Sequence, residues 1–208
     1  MERPASPRSD RLPVLVLAGG RGRRLGGPKA WLDWEGRPLL LRAVERLASL
    51  SPDRPLVAAP SGMNLPPGPY RRVDDVVSGA GPLAGLAAGL LAIADDGSDD
   101  LVAVAACDYP FAGPPLFLEM ARRARGADIV LPTLGARIHP LCAVWRSGLG
   151  AECAGIVKGG EKRVRAAFER AEVRRVAGEE ISARAERALL NVNDPASLRR
   201  ARALLDPR

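Results

Sequence analysis

Residues 14–29, VLVLAGGRGRRLGGPK, constrain the fold of this chain more than any other segment. The first four are continuously apolar, which is typical of a strand buried on both faces of a parallel sheet. The glycines that follow carry no Cβ, so consecutive backbone N–H groups can converge on a phosphate oxygen. Compensating positive charge comes from Arg21, Arg23, Arg24 and Lys29. The segment therefore predicts a buried strand and a phosphate-binding loop, with a nucleotide as the ligand.

Two better-known phosphate loops do not fit this segment. The Walker loop requires G-x-x-x-x-G-K-[ST], but Pro28 precedes the lysine and Ala30 follows it. The dinucleotide fingerprint G-x-G-x-x-G can begin at Gly20, but Leu25 then stands where the last glycine is needed. A mobile surface loop rich in glycine and arginine is the alternative that the segment alone leaves open.

Length and composition fit one enzyme domain. A chain of 208 residues can bury one sizeable core, and 47% hydrophobic with 26% charged residues is ordinary for a globular protein. No apolar run approaches the roughly 18 residues of a membrane span, and the polar N-terminus lacks the apolar core of an export signal. We predict a disordered lead-in at residues 1–12, a single domain at residues 13–208 and a cytoplasmic location, with no membrane partner.

The net charge of +7 indicates anionic partners. Nucleic acid is not expected, because the few aromatic residues are scattered and are not interleaved with basic residues into a base-stacking surface. Polyanionic small molecules account for the charge equally well. Cys107, Cys142 and Cys153 form no CxxC pair, which argues for a reducing compartment and against a structural zinc site.

Strand-like and helix-like segments alternate along the chain. We predict strands at residues 14–17, 55–59, 72–73, 101–107, 128–131 and 141–145, and helices at residues 38–47, 81–94, 115–125 and 195–205. This alternation predicts an α/β fold, Rossmann-like and three-layered, in which a mostly parallel central sheet carries helices on both faces.

Asp108 directly follows the most apolar of the predicted strands, residues 101–107. Ligands of open parallel sheets bind at the carboxyl ends of the strands, so a polar residue at this position is a candidate site residue. An unpaired carboxylate near the core is costly, and a divalent cation compensates it. A turn residue before Pro110 is the alternative.

The glycine-rich loop resembles L-A-G-G-x-x-x-R-[LM]-G-x-x-K, the signature of the nucleotidyltransferases, and in particular the molybdenum cofactor guanylyltransferases, which commonly have a glycine pair before the lysine. Residues 107–110, CDYP, are similar to that family's C-D-x-P. Residues 75–85 are similar to its D…GPLAG segment. The resemblance runs from about residue 13 to about residue 205, and it implies the nucleotidyltransferase fold.

The resemblance implies a set of site residues in the first half of the chain. Nucleotide binding is implied for Leu17, Ala18, Gly19, Gly20, Lys29, Asp75 and Asp108. Catalysis is implied for Arg24, Lys29 and Asp108, and Asp108 is also the implied Mg²⁺ ligand. Asp74 is adjacent to Asp75 and stays open as the residue that contacts the nucleotide.

Two segments of the second half resemble the family's acceptor site. Residues 191–195, NVNDP, are similar to N-[IV]-N-[TD]-P, and residues 160–164, GEKRV, are similar to G-E-x-R-V. The implied acceptor-binding residues are Asn191, Asn193, Lys162 and Arg163. Independently of the family, Asn193 or Asp194 is predicted to cap the last helix, with Pro195 at its first position.

The activity implied is transfer of GMP from GTP to the phosphate of molybdopterin, with release of pyrophosphate and Mg²⁺ as the cofactor. The implied partners are GTP, molybdopterin and, transiently, other proteins of cofactor biosynthesis, and we expect a monomer. The alternatives are a related transferase that uses CTP or a phosphorylated sugar, polyol or lactate, and a non-catalytic nucleotide-binding regulator. An ionised phosphate acceptor needs no strong general base, which fits a chain with one histidine.

Two positions depart from the family's pattern. Family members often have an asparagine soon after the second strand to contact guanine, but this chain has VAAPSG there and Asn64 comes later. The sequence therefore leaves the base specificity open. Pro28 replaces a frequent aspartate before the lysine, which leaves the positive charges of the loop in place. The single histidine, His139, lies in a segment similar to the family's H-P-L, and its role stays open between the site and the core.

Overall fold

The computed structural model describes residues 11–95 and 100–205. The strands in these ranges are β1 Val14–Leu17, β2 Asp33–Trp34, β3 Arg37–Pro38, β4 Leu56–Ala59, β5 Arg71–Asp74, β6 Leu101–Ala106, β7 Ile129–Leu134, β8 Arg137–Ile138, β9 Cys142–Arg146 and β10 Val173–Ala177. The α-helices are α1 Leu39–Leu47, α2 Pro82–Ala94, α3 Pro114–Arg122, α4 Gly150–Lys158, α5 Gly178–Ile181, α6 Ala185–Ala188 and α7 Pro195–Ala203.

The central sheet has the strand order β10-β7-β9-β6-β1-β4-β5, and β8 pairs with β7. Strand β1 is parallel to β4 on one side and to β6 on the other, and β5 extends the parallel part. Strand β9 runs antiparallel to both β6 and β7. The sheet is therefore mostly parallel, as predicted, and the carboxyl ends of β6, β1, β4 and β5 lie side by side along one edge.

Helices cover both faces of the sheet, because successive strand residues point to opposite sides. Val14 and Val16 face the layer that contains α1 and α3, where Phe117 is fully buried. Leu15 and Leu17 face the layer that contains α2 and α4. A smaller cluster packs α7 against the β2–β3 hairpin. The predicted three-layer α/β fold is confirmed.

The lead-in and several elements differ from the predictions. Residues 1–10 of the predicted lead-in lie outside the described residues. Leu12 is buried, and its N–H donates to the Leu50 carbonyl at 2.8 Å, so order extends at least one residue before the predicted boundary. Helix α4 and strand β10 were not predicted at all. Helices α3 and α7 end at Arg122 and Ala203, short of the predicted residues 125 and 205.

Within the ranges described, no helix combines the length and the apolar character that a membrane span requires.

Candidate functional site

Two adjoining cavities lie at the carboxyl edge of the parallel strands. The larger, of about 870 Å³, lies among the glycine-rich loop, the turn after β4 and the start of α2, and Asp75 and Asp108 line it. The smaller, of about 700 Å³, is lined by Arg24, Asn191 and Asn193. Lys29 lines both cavities. We refer to them below as the large and the small cavity.

The glycine-rich loop folds back on itself and brings Lys29 beside Gly20. The Lys29 N–H donates to the Gly20 carbonyl at 3.0 Å, and the Leu25 N–H donates to the Gly22 carbonyl at 2.7 Å. Gly22 has φ +55°, and a Cβ there would collide with the Gly27 carbonyl oxygen, so this position requires glycine. The compact loop leaves Gly19 and Gly20 lining the large cavity.

Leu17 and Ala18 are placed differently from each other. Leu17 lines the large cavity. Ala18 is fully buried in the core beneath it, does not line it, and donates its N–H to the Ala58 carbonyl at 2.8 Å. The Ala18 amide is therefore engaged in sheet pairing rather than free to bind a phosphate.

Lys29 joins the two cavities through hydrogen bonds to one residue of each. Its Nζ donates to Asp108 Oδ2 at 2.7 Å and to the Asn193 side-chain oxygen. The lysine and aspartate side chains are only 13% and 12% exposed, so water screens this ion pair weakly. One connected network thus contains Asp108, Lys29 and Asn193. The sequence had indicated all three as site residues.

The second carboxylate oxygen of Asp108, Oδ1, is buried and has no hydrogen-bond partner among the described residues. A buried polar atom of this kind requires an explanation. No group of three or more acidic, histidine or cysteine side chains in the described ranges could hold a metal ion. A cation bound at Oδ1 would therefore be completed by substrate phosphates and water, which is how proteins usually bind Mg²⁺. The donor set fits such a cation.

The segment that contains the two asparagines is tied directly to Asp108. The Val192 N–H donates to the Asp108 carbonyl at 2.8 Å, and Val192 is fully buried in the cluster formed with α7. This bond places Asn191 and Asn193, on either side of Val192, at the small cavity. Asp194 caps α7 by accepting from the Ser197 N–H at 2.8 Å, with Pro195 at the first turn, so the Asn193 side chain is free for Lys29.

Both asparagines of the small cavity accept a hydrogen bond from a cationic side chain. Arg137 donates to the Asn191 side-chain oxygen at 3.0 Å, and Lys29 donates to that of Asn193. With their oxygens engaged, the two amide NH₂ groups remain as donors. Arg23, Arg24 and Arg200 also line the cavity. The arrangement suits an anionic ligand.

Asp75, rather than Asp74, lines the large cavity. Burial and then the neighbouring Asp74 raise the pKa of Asp75 to about 6, against the opposing effect of Arg72. Gly85 makes room for this carboxylate, because a Cβ there would lie 2.9 Å from Asp75 Oδ1. Asp74 is paired with Arg72 at 2.9 Å on the surface. The geometry thus separates two residues that the sequence could not.

Lys162 and Arg163 do not line the small cavity with the asparagines. The Lys162 carbonyl lies 3.7 Å from the Cβ position of Gly81, a residue that lines the large cavity. Arg163 is exposed and paired with Glu161 at 2.6 Å. Their binding of the acceptor stays a prediction. Arg137 and Arg200, in contrast, were not predicted as site residues, although Arg137 stands two positions before His139 in a segment already singled out.

His139 lies in the core beside the site. It is 1% exposed, lines neither cavity, and its Nδ1 is 3.1 Å from the Tyr109 hydroxyl. Burial, and to a lesser degree Arg137, lower the pKa of His139 to about 4. The imidazole is therefore neutral at neutral pH. It packs against Tyr109, the residue that follows Asp108.

Sequence comparison places the chain within one family. The MobA-like NTP transferase domain matches residues 14–177. A molybdenum cofactor guanylyltransferase from Cereibacter sphaeroides is 35% identical over 201 residues, which cover 94% of this chain and 97% of the relative. A probable molybdenum cofactor guanylyltransferase from Mycobacterium avium is 34% identical over 194 residues, covering 92% of this chain and 95% of the relative.

Structural comparison agrees on the fold. Molybdopterin-guanine dinucleotide biosynthesis protein A from Archaeoglobus fulgidus has a TM-score of 0.76 at 23% identity, over 93% of this chain and 98% of its own. The 2-C-methyl-D-erythritol 4-phosphate cytidylyltransferase from Thermus thermophilus has a TM-score of 0.69 at 22% identity, over 93% and 98%. With a family match over most of its length and relatives at about 35% identity over nearly all of it, the chain belongs to the MobA-like NTP transferase family.

Proposed function

We propose that this protein transfers GMP from GTP to the phosphate of molybdopterin, releasing pyrophosphate and forming the guanine dinucleotide of the cofactor. The observation that carries the proposal is the position of Lys29. This one cation lines two adjoining cavities and is bonded to Asp108 beside the first and to Asn193 beside the second. A reaction that joins two phosphates needs a shared cation at the point where its two substrates meet.

The large cavity is proposed to hold the nucleotide. Backbone groups of Gly19 and Gly20 and the charges of the glycine-rich loop face the triphosphate there, and Asp75 contacts the nucleoside. A divalent cation, which we propose to be Mg²⁺, supplies positive charge at the α-phosphate when it is bound at Asp108. Lys29 adds a second positive charge between the α-phosphate and the incoming acceptor.

The small cavity is proposed to hold the acceptor. Its arginines, Arg24 among them, and the NH₂ groups of Asn191 and Asn193 bind and orient the phosphate and polar edge of the pterin. The Lys162 carbonyl lies near Gly81 at the large cavity, so Lys162 and Arg163 would reach an acceptor only where it extends past the nucleotide.

The chemical step is an in-line displacement. An oxygen of the acceptor phosphate attacks the α-phosphorus, a new P–O bond forms, and the bond from the α-phosphorus to the β-phosphate bridging oxygen breaks. Pyrophosphate leaves with that electron pair. Because the attacking oxygen is already ionised, the chain has no proton to remove, and positioning with charge stabilisation accounts for catalysis.

The decisive experiment is pyrophosphate release by the purified protein with Mg²⁺, molybdopterin and each NTP in turn, with the dinucleotide product identified by mass. We expect turnover with GTP, and none for Asp108→Asn. Turnover with CTP, or with a phosphorylated sugar, polyol or lactate in place of molybdopterin, would instead establish one of the related transferases. Binding of GTP without any pyrophosphate release would indicate a regulator. We also propose a monomeric protein of the cytoplasm.

A further inference from the structure

The turn of residues 60–63 forms one end of the large cavity. It follows β4 directly, is closed by a hydrogen bond of 3.1 Å from the Met63 N–H to the Pro60 carbonyl, and carries Gly62 at φ +74°. Ser61, Gly62 and Met63 all line the cavity. The side chain of Asn64 does not, and this residue uses its backbone carbonyl to accept from Trp31 Nε1 at 3.0 Å. No asparagine side chain therefore reads a base from this turn.

The turn lies at the end of the cavity that the base of a bound nucleotide would reach. Strand β4 is two places from β6 in the sheet, so its carboxyl end is about 10 Å from that of the strand leading to Asp108. In the proposed function the α-phosphate lies near Asp108. The nucleoside of the same molecule then extends across β1 toward β4 and the turn.

Arg72 holds both ends of this turn from the neighbouring strand β5. Its Nη1 donates to the Met63 carbonyl at 2.7 Å, and its Nη2 donates to the Pro60 carbonyl at 2.9 Å. Its Nε donates to Asp74 Oδ1 at 2.9 Å, which fixes the plane of the guanidinium. The planar fork of an arginine can bridge two carbonyls in this way, whereas a lysine ammonium cannot reproduce the geometry.

The two bonds from Arg72, which we call the clamp, leave two backbone donors without a partner among the described residues, in exposed residues that line the cavity. The carbonyls of Pro60, Met63 and Asn64 are engaged by side chains outside the cavity. The N–H groups of Ser61 and Gly62 make no hydrogen bond to any described residue. A row of donors matches guanine, whose O6 and N7 are both acceptors, and opposes the exocyclic NH₂ of adenine.

We propose that Arg72 is a positioning residue that sets the base preference of the nucleotide cavity, by holding the turn of residues 60–63 so that its backbone donors meet an oxo group on the base. The inference rests on the proposed function only in that it needs a nucleotide in the large cavity. It assigns base recognition to a backbone turn that is held by one arginine, in place of the Asn64 side chain, which does not line the cavity.

The test compares two variants of Arg72 with a matched control. Arg72→Ala removes the clamp together with the positive charge of Arg72, which lowers the pKa of Asp75. Arg72→Lys keeps a positive charge at this position but loses the planar fork that bridges the two carbonyls. Arg71→Ala removes the same charge from the adjacent position of β5, an exposed residue. Calorimetry with Mg²⁺ measures affinity for three probes, GTP, ATP and inorganic tripolyphosphate, the last of which has no base.

We expect both Arg72 variants to bind GTP about tenfold more weakly, as the loss of well-placed hydrogen bonds predicts. Affinity for ATP should change less, so the GTP to ATP ratio falls, and tripolyphosphate binding should match that of the wild type. Arg71→Ala should behave as the wild type toward all three probes. An unchanged GTP to ATP ratio in both Arg72 variants, or an equal loss for tripolyphosphate, overturns the proposal.

This experiment separates the clamp from the proposed reaction, because the binding measurements need no acceptor. Failure to release pyrophosphate with molybdopterin would refute guanylyl transfer and leave the clamp standing. A wild-type protein that binds GTP no better than ATP would refute the role of the clamp in base preference. Guanylyl transfer would then still be tested by pyrophosphate release.

Discussion

Replacement of Lys29 by methionine should destabilise the free protein, because it leaves the Asp108 carboxylate buried without its cation. The ion pair is 2.7 Å long and its side chains are about 12% exposed. Removal of one partner from a buried pair typically costs 3–5 kcal/mol, and the slight exposure here favours a loss of about 3 kcal/mol. For a chain of this length that loss lowers Tm by about 6–12 °C. Scanning calorimetry without nucleotide or divalent cation measures it.

The double variant Lys29→Met with Asp108→Asn supplies the control for this reasoning. Its asparagine is neutral, so no uncompensated charge remains, and most of the lost stability should return. Turnover should not return, since Lys29→Met alone is expected to lower kcat by about a hundredfold or more. If Lys29→Met unfolds within 2 °C of the wild type, or if the double variant is no more stable than Lys29→Met, the Lys29–Asp108 pair does not have the role assigned to it.

Three further predictions address the two cavities separately. Because burial raises the pKa of Asp75 from 3.8 to about 6, the folded state holds this proton more tightly than the unfolded chain, and the contribution of this carboxyl to stability falls as pH rises from about 4 to about 6. Asp75→Asn should therefore have the higher Tm at pH 7.5, with the difference closing near pH 4; a constant difference would contradict the assigned pKa. Gly85→Ala places a methyl 2.9 Å from Asp75 Oδ1 and should raise the KM for GTP about tenfold, whereas Gly155→Ala on α4, with nothing within 4 Å, should not alter it. Asn191→Ala should raise the KM for molybdopterin by about five- to a hundredfold and leave GTP affinity by calorimetry within a few-fold, while equal losses would move Asn191 out of the acceptor site.

The parts of the site that the sequence predicted are those that a local rule determines. Polar residues after buried parallel strands meet at one edge of the sheet, and that rule placed Asp108 opposite the glycine-rich loop. Asp75 could not be separated from Asp74 in this way, because adjacent residues satisfy the same motif. Burial of one carboxylate against Gly85, and pairing of the other with Arg72, decide the question only in three dimensions.

Long-range contacts and edge elements were beyond the reach of sequence patterns. The bond from Lys29 to Asn193 joins residues 164 positions apart, and no periodicity reports it. Strand β10 lies at the sheet edge with Arg174 and Arg175 exposed, so it shows no apolar run. Helix α4 is built from small residues and lacks an amphipathic pattern that would mark it as a helix.

The electrostatics of the site explain how this chain can do without a general base. Its single histidine is buried, neutral at neutral pH and outside both cavities. In the proposed reaction no proton needs to be removed, so the barrier arises mainly from bringing two anionic groups together. Positive charge must therefore be concentrated at their meeting point, and Lys29 is the residue common to both cavities. Its pairing with Asp108 keeps that carboxylate compensated within a weakly screened site, and its bond to Asn193 fixes the segment that is proposed to face the acceptor. One side chain thus stabilises the site and connects both halves of it, which is why its replacement should affect stability and turnover together.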